Sequence, residues 1–212
     1  MRFNKSIYNF FVVVLRIFMK IFFPYEVSGQ ENIEDLESGC IICCNHLSVF
    51  DPIFLMISCP NDIFFMAKQE LFENKFIGHI LSLLGVFPVN RGKGDSSAIN
   101  HAVNLVKSKK NLGIFIEGTR SKTGEFLRPK SGASVVALQT NANILPVCIT
   151  GSASKNKIKI FKKTYINYGQ IIKFSDIDLS DYEAKKHKII RDLTQKIMND
   201  IQNLRLEKGR IK

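Results

Sequence analysis

Apolar residues gather along the chain in short runs of strand length. The runs lie at 40–44, 63–67, 112–116, 144–149, 157–161 and 164–168. Between several of them the apolar positions recur every three or four residues. Such spacing predicts helices over 52–58, 71–84, 96–108 and 132–140. A further short strand is read within "GVFPVNRG" (85–92), placing Arg91 after it. Alternating strands and helices predict an α/β sheet with helices on both faces. The last helix is the clearest, with Ile189, Ile190, Leu193, Ile197, Met198, Ile201 and Leu204 in helical register. Ser180 and Glu183 are spaced as a capping box before it, and Gly209 stands at its end. Pro146 sits inside the 144–149 run, which predicts a strand at an edge or a bulge.

The first 24 residues behave differently. "IYNFFVVVLRIFMKIFFP" (7–24) is apolar except for Asn9, Arg16 and Lys20. On a helix, Arg2, Lys5, Asn9, Arg16 and Lys20 fall within about 60° of arc at 100° per residue. Phe10, Phe11, Val14, Leu15, Phe18, Ile21 and Phe22 cover the rest. The longest uncharged run is too short to span a bilayer, which takes about 20 residues. A core helix with a solvated edge has such a stripe too. The apolar arc is wider than one packing face requires, and this favours an amphipathic helix lying in a membrane interface, basic stripe toward lipid phosphates. Residues 1–24 are therefore read as a membrane-interface helix and 25–212 as one domain. No small-residue cleavage site follows the helix, so a cleaved signal peptide is not expected.

Charge and cysteine content narrow the partners. The formal net charge is +11 over 212 residues, which calls for an anionic partner: nucleic acid, anionic lipid or a phosphorylated substrate. Five cysteines, three of them crowded at Cys40, Cys43 and Cys44, form no disulfide framework and suit a reducing setting. Cys40 and Cys43 make a C-x-x-C without a second pair, so no metal site is expected. His79, His101 and His187 have no partners at ligand spacing. Neither "NRGKGD" (90–95) nor "GTRSKTG" (118–124) carries the Gly-Lys-Ser/Thr of a nucleotide-binding loop.

The candidate chemistry begins at "CCNHLSVFDP" (43–52), where an apolar strand stops at Asn45-His46. Strand ends are where sites form in such sheets. Asp51 stands five residues past His46 and immediately before Pro52. That order makes Asp51 a helix N-cap with Pro52 at the first helical position. The Leu47–Phe50 turn can fold the carboxylate back beside the imidazole. A carboxylate on one ring nitrogen fixes the tautomer and raises the basicity of the other. By itself His-x4-Asp is equally compatible with a capping Asp and an incidental His. No G-x-S-x-G elbow surrounds Ser48, and Cys43 and Cys44 lie on the strand. The substrate's own hydroxyl is thus a candidate nucleophile.

Three more segments join this one: "GVFPVNRG" (85–92), "GIFIEGTRSKTG" (113–124) and "ILPVCITG" (144–151). Together the four blocks resemble the glycerolipid acyltransferases, in order and spacing, from about residue 25 to 151. Asn45, His46 and Asp51 match the first block. Gly85 to Arg91 match the second, with Lys68, Glu70 and Leu71 as the preceding Lys-x-Glu-Leu. Glu117, Gly118, Thr119 and Arg120 match the third, followed by Lys130 and Gly132. Pro146 and Val147 match the fourth. Ile116 departs from the usual proline before Glu, and Pro88-Val89-Asn90 from the commoner Ile-Asp pair before Arg91.

The resemblance implies a mixed α/β sheet flanked by helices. It implies transfer of a fatty acyl group from acyl-CoA or acyl-carrier protein to the 2-hydroxyl of 1-acylglycerol-3-phosphate (lysophosphatidic acid), giving phosphatidic acid in phospholipid synthesis. Glycerol-3-phosphate or another lysolipid is the alternative acceptor. On this reading His46 and Asp51 are catalytic. Asn45, Lys68, Arg91, Glu117, Gly118, Thr119, Arg120, Lys130 and Gly132 bind substrate. Arg120, with Arg91 and Lys68, would hold the phosphate, as would the amides near Ser131-Gly132. Glu117 would pair with an Arg or hold a glycerol hydroxyl, and Gly118 permits the tight turn. No cofactor or metal is implied. The protein would sit on the cytoplasmic face of a membrane, in contact with phospholipid. A nucleic-acid-binding protein would explain the charge but not the N-terminal helix or the ordered blocks. A thioesterase would share the chemistry but leave the arginine pair without a task.

Overall fold

The computed structural model describes residues 3–33, 36, 39–89, 96–151, 153–154, 157–158 and 160–207. Chain order is α1 (Lys5–Phe22), β1 (Tyr25–Ser28), β2 (Ile41–Cys44), α2 (Asp51–Ser58), β3 (Ile63–Lys68), α3 (Lys75–Leu83) and β4 (Val86–Val89). It continues with α4 (Ser96–Lys107), β5 (Asn111–Phe115), α5 (Gly132–Thr140), β6 (Ile144–Thr150), β7 (Ala153–Ser154), β8 (Lys157–Ile158), β9 (Thr164–Tyr168) and α6 (Tyr182–Glu207). Seven strands form one sheet in the order β1-β9-β6-β2-β5-β3-β4. The five from β6 to β4 run parallel; β9 is antiparallel to β6, and β1 parallel to β9. The mixed sheet flanked by helices is thus present, and β7 and β8 form a separate hairpin.

β2 lies in the middle and is buried at every residue. Its side chains alternate between two cores. Ile41 and Cys43 face α4, α5 and α6, meeting residues such as Val103, Val136 and Ile197. Ile42 and Cys44 face α1 and α2, meeting Met19, Phe54 and Leu55. Fully buried parallel strands read as unbroken apolar runs, which is why the central strands were legible. The C-terminal ends of β2, β3, β4, β5 and β6 therefore share one edge of the sheet.

Three sequence expectations need correction. β1 was not foreseen: its alternation of half-buried Tyr25 and Val27 with exposed Glu26 and Ser28 marks a short edge strand of little apolar content. The strand expected at 157–161 is only β8, followed by a turn at 160–162. Pro146 is on an interior strand, and of the two settings expected for it, an edge or a bulge, it takes the bulge. The β6–β9 ladder pairs Val147 with Tyr168, then resumes at Ile144–Ile172, one residue out of step. The extra residue lies on the β9 side, and Gly169 gives the Pro146 ring room, since a Cβ there would meet it at 3.0 Å. Finally, α6 begins at Tyr182 after Asp181 at φ +57°, and the Ser180–Glu183 box does not form. Ser180 instead donates its amide to Asp178 Oδ1 at 2.9 Å. Gly209 lies outside the described residues.

α1 has three faces. Tyr8, Val12 and Met19 are buried in the core shared with α2. Phe10, Val13, Val14, Ile17, Phe18, Ile21 and Phe22 are exposed. The polar stripe between them turns toward the protein more than expected. The Arg16 guanidinium donates to the Ile57 carbonyl (3.0 and 3.2 Å), and Lys5 pairs with Asp62 at 3.4 Å. The end of α2 has carbonyls without helical partners, and a cation there is doubly favoured. Among the described residues no helix is long and apolar enough to cross a membrane.

Candidate active site

The site is built at the end of β2. Asn45 is buried, and its amide pairs with the backbone of the neighbouring strand. Nδ2 donates to the Ile149 carbonyl (2.9 Å), and the Ile149 amide donates to Oδ1 (2.8 Å). The strand end is thereby pinned to β6 just before His46. Asn45, expected to bind substrate, is placed inside the protein as a bracket.

His46 Nδ1 lies 2.9 Å from Asp51 Oδ2. The same oxygen accepts the amides of Leu47 (2.6 Å) and Ser48 (2.7 Å). An oxygen that accepts from two amides acts as an acceptor toward the ring as well, so Nδ1 carries the proton and Nε2 is the basic nitrogen. Asp51 is fully buried, while the His46 side chain keeps 12% of its surface. Asp51 is not the N-cap. That position is Phe50, with no side-chain cap bond; Asp51 is the first helical residue, and Pro52 follows it in the first turn. The loop amides and the imidazole hold the carboxylate, which outweighs the tendency of a residue before proline to leave the helical region.

A ring stack fixes the imidazole plane. Phe115 at the end of β5 lies parallel to His46, centroids 4.0 Å apart and planes 17° from one another. Phe65 on β3 continues the stack at 6.2 Å. Gly113 lets it form, because a Cβ there would stand 2.3 Å from the Phe65 ring. Sequence reading missed Phe115. In an apolar strand nothing separates a stacking ring from core filling.

The loop after β5 is tied to the same place. The Ser121 amide donates to the His46 carbonyl (2.8 Å), and the Lys130 amide to that of Ile116 (2.7 Å). Gly118 has φ +71°, and its amide closes a turn on Phe115 at 2.9 Å. That backbone favours glycine. The turn leaves Thr119 and Arg120 exposed beside the His46 loop, and Lys130 is exposed as well. Gly132 opens α5 after Ser131. Lys68 is exposed at the end of β3, at the same sheet edge. Arg91 lies outside the described residues.

Glu117 is the unusual group. It is 2% exposed, and neither carboxylate oxygen has a hydrogen-bond partner of ordinary geometry among the described residues. No Arg pairs with it there. Burial pushes its carboxyl up from 4.5 to about 7, only partly offset by the nearby amides of His46 and Leu127.

Other nucleophiles are poorly prepared. Burial pushes Cys43 and Cys44 well above the ordinary thiol range and Cys148 up to about 12. Ser48 is buried, and its hydroxyl accepts the Phe50 amide at 3.2 Å. Among the described residues no His, Cys, Asp and Glu group could hold a metal ion.

This geometry coincides with a family pattern. Residues 24–150 match the Acyltransferase family model. The chain belongs to the acyltransferase family. Within it, the chain is 34% identical over 157 residues to the 1-acyl-sn-glycerol-3-phosphate acyltransferase of Bacillus subtilis (strain 168), covering 74% of this chain and 76% of that one. It is 32% identical over 183 residues to the 1-acyl-sn-glycerol-3-phosphate acyltransferase of Borreliella burgdorferi, covering 83% and 72%. The crystal structure of the 1-acyl-sn-glycerophosphate (LPA) acyltransferase, PlsC, from Thermotoga maritima has the same fold. Its TM-score is 0.72, at 20% identity, over all of this chain and 86% of that one.

Proposed function

We propose that this acyltransferase moves a fatty acyl group from an acyl thioester to the 2-hydroxyl of 1-acylglycerol-3-phosphate, giving phosphatidic acid for phospholipid synthesis. The observation that carries this reading is His46 held on Asp51, with Nε2 left basic and, among the described residues, no activated protein nucleophile beside it. Nε2 takes the proton of the acceptor hydroxyl as its oxygen bonds to the thioester carbonyl carbon. The tetrahedral intermediate then expels the thiolate, and the imidazolium returns the proton to sulfur. A positioned general base contributes roughly 10²–10⁴-fold. Asp51 stabilises the imidazolium, and so does the parallel Phe115 ring. Arg120, Lys68, Lys130 and Arg91 supply cations for the acceptor phosphate, and the α5 start adds amides. Asn45 and Glu117 shape the strand ends from inside.

α1 lies in the cytoplasmic membrane interface, its outer face of Phe10, Ile17 and Ile21 among the acyl chains, where the lipid acceptor resides. The donor is acyl-CoA or acyl-carrier protein, and no further cofactor takes part. The test supplies purified protein with lysophosphatidic acid and each donor in turn, following released thiol and phosphatidic acid. Thiol release without phosphatidic acid would mean that water, not the lipid, accepts the acyl group. Glycerol-3-phosphate in a parallel reaction tests the alternative acceptor.

A further inference from the structure

The turn before β9 carries Ile160 and Phe161, 55% and 69% exposed. Phe161 also has φ +59°, a backbone that glycine or asparagine adopts without strain. A bulky exposed aromatic is an unusual choice for such a backbone. The turn is joined to the end of α1: the Phe161 amide donates to the Phe22 carbonyl at 2.9 Å, and the two rings are 6.2 Å apart. From there a run of rings continues through Phe22–Phe18 (4.8 Å) and Phe18–Phe23 (6.2 Å) to Phe23–Phe50 (4.7 Å). Phe50 is the residue before Asp51. Topology agrees, because β9 starts opposite the end of β6, with Tyr165 paired to Thr150, at the sheet edge where His46 lies. Lys20 and Lys162 are exposed at the same two ends of chain, whereas Lys163 is paired with Glu26.

We propose that the Ile160–Phe161 turn is a second membrane-contact element, forming one patch with Phe18 and Phe22 on an anionic phospholipid surface. An anionic lipid surface matches exposed apolar rings flanked by the exposed Lys20 and Lys162 on a chain of formal charge +11. Two elements far apart in sequence fix the rotation of α1 on the bilayer, which one helix alone does not. They hold the strand ends carrying His46 beside the lipid. The proposal rests on the reading of α1 as an interfacial helix.

The chain has no Trp, so single tryptophans report cleanly. Full-length Phe161→Trp and Ile17→Trp variants are mixed with phosphatidylglycerol/phosphatidylethanolamine vesicles containing brominated lipid. Quenching is expected at both positions. Quenching at 17 but not at 161 leaves the α1 reading standing and overturns this one. Quenching at neither overturns both, and quenching at 161 alone breaks the single patch. Phe161→Gly separates contact from folding, since it relieves the backbone while removing the ring. It is expected to unfold no earlier than the wild type and to bind these vesicles about tenfold more weakly. Turnover with a soluble short-chain acceptor should stay unchanged. Unaltered vesicle affinity, with or without a loss of stability, overturns the proposal.

Discussion

Two neighbouring parallel strands, β2 and β5, end in loops that each bury a carboxylate, and the two carboxylates are treated in opposite ways. Asp51, the first residue of α2 at the end of the loop after β2, sits among two amides and an imidazole on one oxygen. Glu117, in the loop after β5, has no comparable partner among the described residues, and burial drives its carboxyl up to about 7. A satisfied buried carboxylate is a rigid fixture; an unsatisfied one costs stability and persists where function maintains it. The β2 loop is thus preassembled, with ring, acid and bracket all fixed by internal bonds. The β5 loop is anchored by backbone bonds to His46 and Ile116 but keeps its acid under strain of solvation.

The contrast can be broken most decisively at Asp51. Asp51→Ala orphans the buried Ser48 amide, the half-buried Leu47 amide and the ring, so stability should fall by about 3 kcal/mol and turnover by 10²-fold or more. Thermal denaturation and initial rates check it; a stable, active variant would mean that the loop does not depend on its acid. On the β5 side, Arg120→Ala should raise the KM for the lipid acceptor about tenfold while leaving the donor KM and the melting temperature nearly unchanged, because the side chain is exposed. A rise in donor KM alone reverses the roles. Asn45→Ala removes both bonds to Ile149 and should cost about 2 kcal/mol in chemical denaturation.

The smallest effect is the most specific. Because the carboxyl of Glu117 is raised in the folded state, its protonation stabilises the fold. That contribution is whole below 4.5 and is lost as pH rises through about 7. Glu117→Gln stays neutral at every pH. Its advantage in melting temperature over the wild type should therefore be smallest at acid pH and grow between pH 4.5 and 7, then level off. A difference independent of pH would contradict a raised carboxyl at Glu117.

What could be read in advance followed physical visibility. β9 and α5 came out at their observed bounds, since a run rich in aromatic and β-branched residues and a helical spacing at Ala133, Val136 and Ala137 are both visible locally. The His46–Asp51 contact was legible because a strand end, a turn and a proline bound the loop on both sides. β1 was not, since four alternating residues at an edge resemble a loop. The Phe65–Phe115–His46 stack needs the registry of three strands, and the isolation of Glu117 needs the position of everything around it. The turn of Arg16 toward Ile57 was hidden as well. Periodicity placed it on a polar stripe, but only packing shows that α2 ends there.

The account rests on His46 as the base. The most direct measurement is the steady-state rate of phosphatidic acid formation by His46→Gln beside the wild type, both shown folded by circular dichroism. The account predicts a loss of at least 10²-fold in kcat, with lipid acceptor binding retained. A variant that keeps a tenth or more of the wild-type rate would contradict it.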